Sequence, residues 1–197
     1  MIVSNLVARA LDFATTAHTG QTRKESGVPY ILHPIAVSNI LVQWNEKYEL
    51  FHWPNDAENA FAAALLHDVL EDCEGYTSID IRQAFGESIA EHVIGLTKAS
   101  LNSTESRAVR KAQDNEFLEK QSEIVQIIKV ADIYHNSLDI LQSKDTKWAM
   151  KFLDEKIDCV SVALTKVPVD LRLFITVHLS KAKLELLRRE LDLSAVI

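Results

Sequence analysis

Apolar residues return at helical spacing along nearly the whole chain, and that recurrence predicts an all-α protein. Leu6, Val7, Ala10, Leu11, Ala14 and Ala17 make a first stripe, with Ser4 or Asn5 able to cap it and Gly20 placed to stop it. Ile35, Val37, Ile40, Leu41 and Trp44 make a second, and Pro34 suits its first turn, which sets His33 at its N-terminal end. Residues 45–55 read as a connection containing Pro54, after which Asn55 or Asp56 caps a third helix. Thr77 or Ser78 opens another helix, with Gly86 read as its left-handed stop, and residues 88–98 follow with Ile89, Val93, Ile94 and Leu96 inward. A charged helix spans residues 106–120. The run Glu123 to Val130 is rich in β-branched residues and would suit a strand, but it has no second strand to pair with. Continued as helix through Leu141, it places Ile128, Asp132 and His135 on neighbouring turns. Residues 144–167 and 169–193 give two last helices parted by Pro168, the final stripe being Leu171, Phe174, Ile175, Leu179, Leu184, Leu187 and Leu191. These two either complete the bundle or form a homo-oligomer interface.

One stretch breaks the apolar logic. Residues 62–72, AAALLHDVLED, suit a helix buried on most sides until they end in His67, Asp68, Glu71 and Asp72. On a continuous helix Glu71 falls within about 40° of His67, and Asp72 equally close to Asp68, while His67 and Asp68 diverge by about 100°. A carboxylate among apolar neighbours costs several kcal/mol unless paired or bound to a metal, so a cation is the simplest compensation. The plainer reading is a helix end surfacing into water. Against it stand residues 27–34, GVPYILHP, and 127–136, IIKVADIYHN, each delivering one metal-capable group, His33 and Asp132, inside an apolar frame.

Composition narrows the field further. The chain has 197 residues, enough for one domain with a real core, and the low content of Gly (5) and Pro (4) favours helices over a turn-rich β fold. A net charge of -7 argues against a nucleic-acid binder, yet leaves room for a small anionic substrate held by a metal and a local basic patch. Cys73 and Cys159 are too few for a disulfide framework, no run approaches a membrane span, and nothing at the N-terminus resembles an export signal; a cytoplasmic protein is expected. His18 reads as a helix C-terminal imidazole, His52 as exposed and His92 as structural. Arg23 and Lys24 sit on a loop bounded by Gly20, Gly27 and Pro29; such a pair is usually a solvated surface, but these are ten residues from His33.

Four stretches in order, residues 17–34, 63–72, 85–98 and 128–136, resemble the signatures of the hydrolase domain of the RelA/SpoT family, particularly its stand-alone small alarmone hydrolases. The matching region runs from about residue 8 to 141, within a single domain of residues 1–197. The resemblance implies a single-domain HD-type helical bundle with a buried divalent metal site, held by His33, His67, Asp68 and Asp132. The ion implied is Mn²⁺, although the nitrogen and oxygen donors would also accept another divalent cation. It further implies Glu71 and Asp72 as the catalytic acidic pair, Arg23, Lys24 and Asn136 as lining a nucleotide pocket, and Thr97 and Lys98 as lying near it. The sequence departs from the family pattern at Ile133, where Arg is usual, and at Tyr134, Ser137 and Cys73.

The function implied is removal of the 3′-diphosphate from guanosine 5′-diphosphate 3′-diphosphate or a related purine nucleotide, releasing pyrophosphate. Arg23 and Lys24 would offset the phosphate charge, and Glu71 or Asp72 would orient water or carry its proton. The alternatives are an HD-fold nucleotidase acting on nucleoside 5′-monophosphates and a catalytically silent nucleotide-binding regulator.

Overall fold

The computed structural model describes residues 5–24 and 26–194, so Ser4 lies outside the described residues. Their regular structure is ten helices: α1 (Asn5–Ala17), α2 (Leu32–Tyr48), α3 (Pro54–Leu66), α4 (Val69–Asp72), α5 (Ser78–Phe85), α6 (Glu87–Leu96), α7 (Arg107–Glu119), α8 (Glu123–Ile140), α9 (Thr146–Val162) and α10 (Val169–Ser194). Among the described residues the sole β feature is an isolated bridge between Thr22 and Pro29, which pinches the α1–α2 loop. No described helix is long and apolar enough to cross a membrane.

Two helices form the centre. α3 packs against α1, α2, α6 and α8, and its fully buried Ala60, Ala62, Ala63 and Ala64 let those neighbours approach closely. α8 packs against α2, α3, α6, α9 and α10, burying Val125, Ile127, Ile128, Val130, Ala131 and Ile133. The β-branched run is therefore a helix, surrounded on most sides by other helices.

Several local expectations are corrected. α2 continues past Asn45 to Tyr48, and the Asn45 side chain accepts from the Phe51 N–H at 2.9 Å, while α3 begins at Pro54, ahead of the expected Asn55 or Asp56 cap. Residues 62–72 are not one helix. α3 ends at Leu66, Asp68 takes φ −97° and ψ −4°, and α4 starts again at Val69. His67 Nδ1 donates to the Ala64 carbonyl at 2.7 Å, the acceptor that the Asp68 N–H would use in a continuing helix. Gly86 is not in the left-handed helical region. Its φ of 85° with ψ of 174° is a conformation open to glycine almost alone, and it lets one residue end α5 and precede α6. On α10, Leu171, Ile175 and Leu179 are fully buried, whereas Leu184, Leu187 and Leu191 are exposed and Phe174 is partly exposed at the edge, its ring against Trp44 and Tyr134, because the stripe spans more than the one face that meets the bundle.

Candidate metal centre

The centre forms where the broken α3–α4 segment meets the first turn of α2 and the middle of α8. His33 is on α2, His67 and Asp68 occupy the break, and Asp132 is on α8. His67 Nε2 lies 3.0 Å from Asp68 Oδ2 and 3.7 Å from Asp132 Oδ1; His33 Nε2 lies 3.5 Å and 3.2 Å from the same two atoms. Both imidazoles and Asp132 are buried, and His33, His67 and Asp68 hold donor atoms within 4.8 Å of one another. The break in α3 has a direct use: it turns His67 and Asp68, which a straight helix would separate by about 100°, toward one point.

The hydrogen bonds behind each ring fix which nitrogen faces that point. With Nδ1 donating to Ala64, His67 presents a buried Nε2 that has no hydrogen-bond partner in spite of its close carboxylates. His33 Nδ1 is 2.8 Å from His135 Nδ1. Burial, helped by the charge of His33, brings His135 down to about 4, so the neutral His135 nitrogen accepts and His33 Nδ1–H donates. Both Nε2 atoms are then turned toward Asp68 and Asp132, where a bound cation would take the place of a proton. An orphaned imidazole nitrogen, a second one beside it and two carboxylates form a donor set that fits a divalent cation, with Ala64 and His135 as the outer partners such imidazoles commonly have.

The carboxylates are tuned by the same neighbours. Burial resists their ionisation, but His67 and His33 around Asp68, and Lys129, His33 and His67 around Asp132, hold both well below the ordinary range. In return, and against its own burial, His67 is raised to about 10 by Asp68 and Asp132. Lys129 Nζ is 2.8 Å from Asp132 Oδ2, and Asn136 Nδ2 donates to Asp132 Oδ1 at 2.5 Å. The Tyr30 hydroxyl lies 2.7 Å from Asp68 Oδ2 and 3.0 Å from Asp72 Oδ2. Burial and the charge of Asp68 push Asp72 up, although the Tyr30 hydrogen bond opposes this.

A cleft of about 300 Å³ opens over the centre. Asp68, Asp72 and Asp132 line it together with Arg23, Lys98, Lys129 and Asn136. Arg23 donates to Asn136 Oδ1 at 2.7 Å and to Asp139 Oδ2 at 2.8 Å; Lys24 lines an adjoining recess with its ammonium 5.5 Å from the Trp148 ring. Glu71 stands apart from Asp72. Its side chain is buried and bound by both the backbone N–H and the ammonium of Lys98. Thr97 does not reach the cleft, and its hydroxyl donates to the Val93 carbonyl at 2.9 Å. The four departures from the family pattern also face elsewhere: Ile133 is fully buried, Tyr134 packs on Trp44 and His178, Ser137 bonds His178, and Cys73 lies against His18.

Sequence reading missed Tyr30, Lys129, His135, Trp148, Phe152 and Lys156. Lys129 and His135 carried a signal, since each is three residues from Asp132 on one helix. Trp148, Phe152 and Lys156 carried none: α9 reads as scaffold, and only packing makes it a cleft wall.

Comparison with known proteins agrees with this geometry. The family model described as HD domain matches residues 10–136, and the chain belongs to that family. The bifunctional (p)ppGpp synthase/hydrolase SpoT of Escherichia coli K12 is 41% identical over 128 residues, 62% of this chain and 16% of SpoT. The guanosine-3′,5′-bis(diphosphate) 3′-pyrophosphohydrolase of Vibrio cholerae is 41% identical over 117 residues, 59% of this chain and 15% of that protein. The chain thus spans about a sixth of the length of these curated relatives. A solved structure reported as "A metazoan ortholog of SpoT hydrolyzes ppGpp and plays a role in starvation responses" shares the fold, with a TM-score of 0.64 at 24% identity over 96% of this chain and 98% of the other.

Proposed function

We propose that this chain is a divalent-metal-dependent pyrophosphohydrolase that removes the 3′-diphosphate from guanosine 5′-diphosphate 3′-diphosphate or a closely related purine nucleotide. The observation that carries the reading is the shared cleft, in which Asp68, Asp72 and Asp132 stand among Arg23, Lys98 and Lys129. Carboxylates suited to a cation and side chains suited to phosphate thus line one cavity. The names of the SpoT and pyrophosphohydrolase relatives favour this substrate class.

His33, His67, Asp68 and Asp132 would hold the ion, and Mn²⁺ suits their nitrogen and oxygen donors. When bound, such an ion supplies Lewis acidity toward a phosphoryl oxygen and makes water more acidic. The chain's own groups do the rest. Asp72, raised by burial and Asp68 and held by Tyr30, takes the proton of the attacking water as it adds to the phosphorus joined to the ribose 3′ oxygen. The bond from phosphorus to that oxygen breaks, and the oxygen takes up the proton that Asp72 received, giving the nucleoside 3′-hydroxyl and pyrophosphate. Glu71 positions Lys98 toward phosphate rather than acting on water. Arg23 and Lys24 offset phosphate charge at the other end of the cleft, beside Asn136, with Tyr30, Trp148 and Phe152 as faces on which a base can stack.

The test is to incubate the Mn²⁺-loaded protein with 3′-diphosphorylated purine nucleotides and with nucleoside 5′-monophosphates, and to identify the products. Pyrophosphate from the former is expected. Asp72→Asn should retain its metal and be slower by about 10²–10⁴. Orthophosphate released from 5′-monophosphates, with the 3′-diphosphates untouched, would overturn the reading in favour of a nucleotidase.

A further inference from the structure

The wall formed by α7, α8, α9 and the segment after α6 carries six cations across the metal cleft and its adjoining pocket, and four of them are ion-paired. Lys98 is paired with Glu71, Arg107 with Glu155 through two bonds of 2.6 and 2.8 Å, Lys111 with Asp114 at 3.5 Å, and Lys129 with Asp132. Pairing them off leaves Lys156 and Arg110. The Lys156 ammonium has no described ion pair or hydrogen bond; the Phe152 ring lies 5.2 Å away, and Lys111 and Lys129 are its charged neighbours with Asp132. Arg110 has a buried Nε with no partner.

These two orphans line neighbouring pockets that share three cations in their walls. Lys156 lines the metal cleft together with Lys98, Arg107 and Lys111. The same Lys98, Arg107 and Lys111 line an adjoining pocket of about 310 Å³ with Arg110, where Asp114 is the one carboxylate. Cations without a partnering carboxylate are costly where water is excluded, and this protein has a net charge of -7, so Lys156 in the metal cleft and the unpartnered Arg110 Nε in the adjoining pocket are not an effect of general composition. Burial and the neighbouring Lys129 lower Lys156 to about 8, the expected response of an ammonium lacking its anion.

We propose that Lys156 and Arg110, with Lys98 and Lys111, form an anion subsite that binds the outer phosphoryl group of a 3′-diphosphate and, after cleavage, the pyrophosphate product. The assignment rests on the reading of the substrate as a 3′-diphosphorylated nucleotide. Along α9, Trp148 and Phe152 serve the nucleoside end of the cleft, and Lys156, one turn beyond Phe152, serves the phosphate end. The subsite makes the protein distinguish a diphosphate from a monophosphate, since only the former reaches it.

The experiment uses the full chain loaded with Mn²⁺, as wild type, Lys156→Met and Arg110→Met. Binding of inorganic pyrophosphate is followed by calorimetry, and kcat/KM is compared for a nucleotide 3′-diphosphate and the matching 3′-monophosphate. Each variant should bind pyrophosphate about 10-fold or more weakly, as expected for loss of a charge-assisted hydrogen bond. The preference for diphosphate over monophosphate should fall by a similar factor at unchanged metal content. Unaltered pyrophosphate affinity in both variants overturns the subsite, even if the wild type hydrolyses the 3′-diphosphate. Conversely, Lys156-dependent pyrophosphate binding by a protein that leaves 3′-diphosphates intact supports the subsite and rejects the proposed reaction.

Discussion

At the residue scale the centre depends on side chains whose work lies behind the donors. His135 is the clearest case: held neutral by burial, it receives the His33 Nδ1–H and so fixes which nitrogen His33 turns inward. His135→Ala should weaken Mn²⁺ binding by about 10–100-fold without removing a donor, the usual effect of losing an outer partner. His135→Asn, whose amide oxygen can accept the same proton, should recover part of that loss. Metal titrations of the two proteins check this, and equal affinity in wild type and His135→Ala would remove His135 from the role. The acidic pair divides in the same manner. Glu71 and Asp72 are neighbours of like chemistry in the sequence, but Lys98 binds one and Tyr30 the other, and only Asp72 lines the cleft.

At the element scale, the ends of helices place the chemistry. α6 carries Lys98 just beyond its C-terminus, and its height over the centre is set by how closely α6 lies on α8. Gly95 is the contact: a Cβ there would lie 2.7 Å from Gln121 Oε1 and 3.1 and 3.3 Å from the two Val125 methyls. Gln121 can swing aside, but Val125 is β-branched and buried in α8. Gly95→Ala gains up to about 1 kcal/mol of helix propensity and loses about 1–3 kcal/mol to crowding. The expected outcome is a net destabilisation of about 1 kcal/mol, measured by denaturant unfolding, with a raised KM as Lys98 shifts. A variant more stable than wild type would mean that α6 has room to spare. The broken segment at His67 and Asp68 belongs to this scale too, because its continuity could not be judged from apolar spacing that suits a straight helix equally well.

At the scale of the whole molecule, an unpaired cation leaves a signature in the stability profile. Lys156 titrates at about 8 in the fold and at its ordinary 10.5 when unfolded. Between these values the unfolded chain holds the extra proton, so the Lys156 contribution makes stability rise with pH across that window. Below pH 8 the folded protein carries the full burden of the charge, set by burial and by Lys129 and Lys111 and eased by Asp132. Lys156→Met should therefore be more stable than wild type at pH 7, with the gap closing toward pH 10; parallel unfolding curves in chelator, equally spaced at all pH values, would contradict it. The sequence by itself determined what is local or repeated, the helices from apolar spacing, and it singled out His33, His67, Asp68 and Asp132 as candidate donors, polar groups set in apolar frames. It also supplied the resemblance that joined those four into a centre. Tertiary structure decided what depends on distant segments meeting: the turn that aims His67 and Asp68 together, the separate bonding of Glu71 and Asp72, and the recruitment of α9 into the cleft. The physical reason is that spacing along a helix fixes a face, whereas charge balance and water exclusion are set by which faces are brought opposite one another.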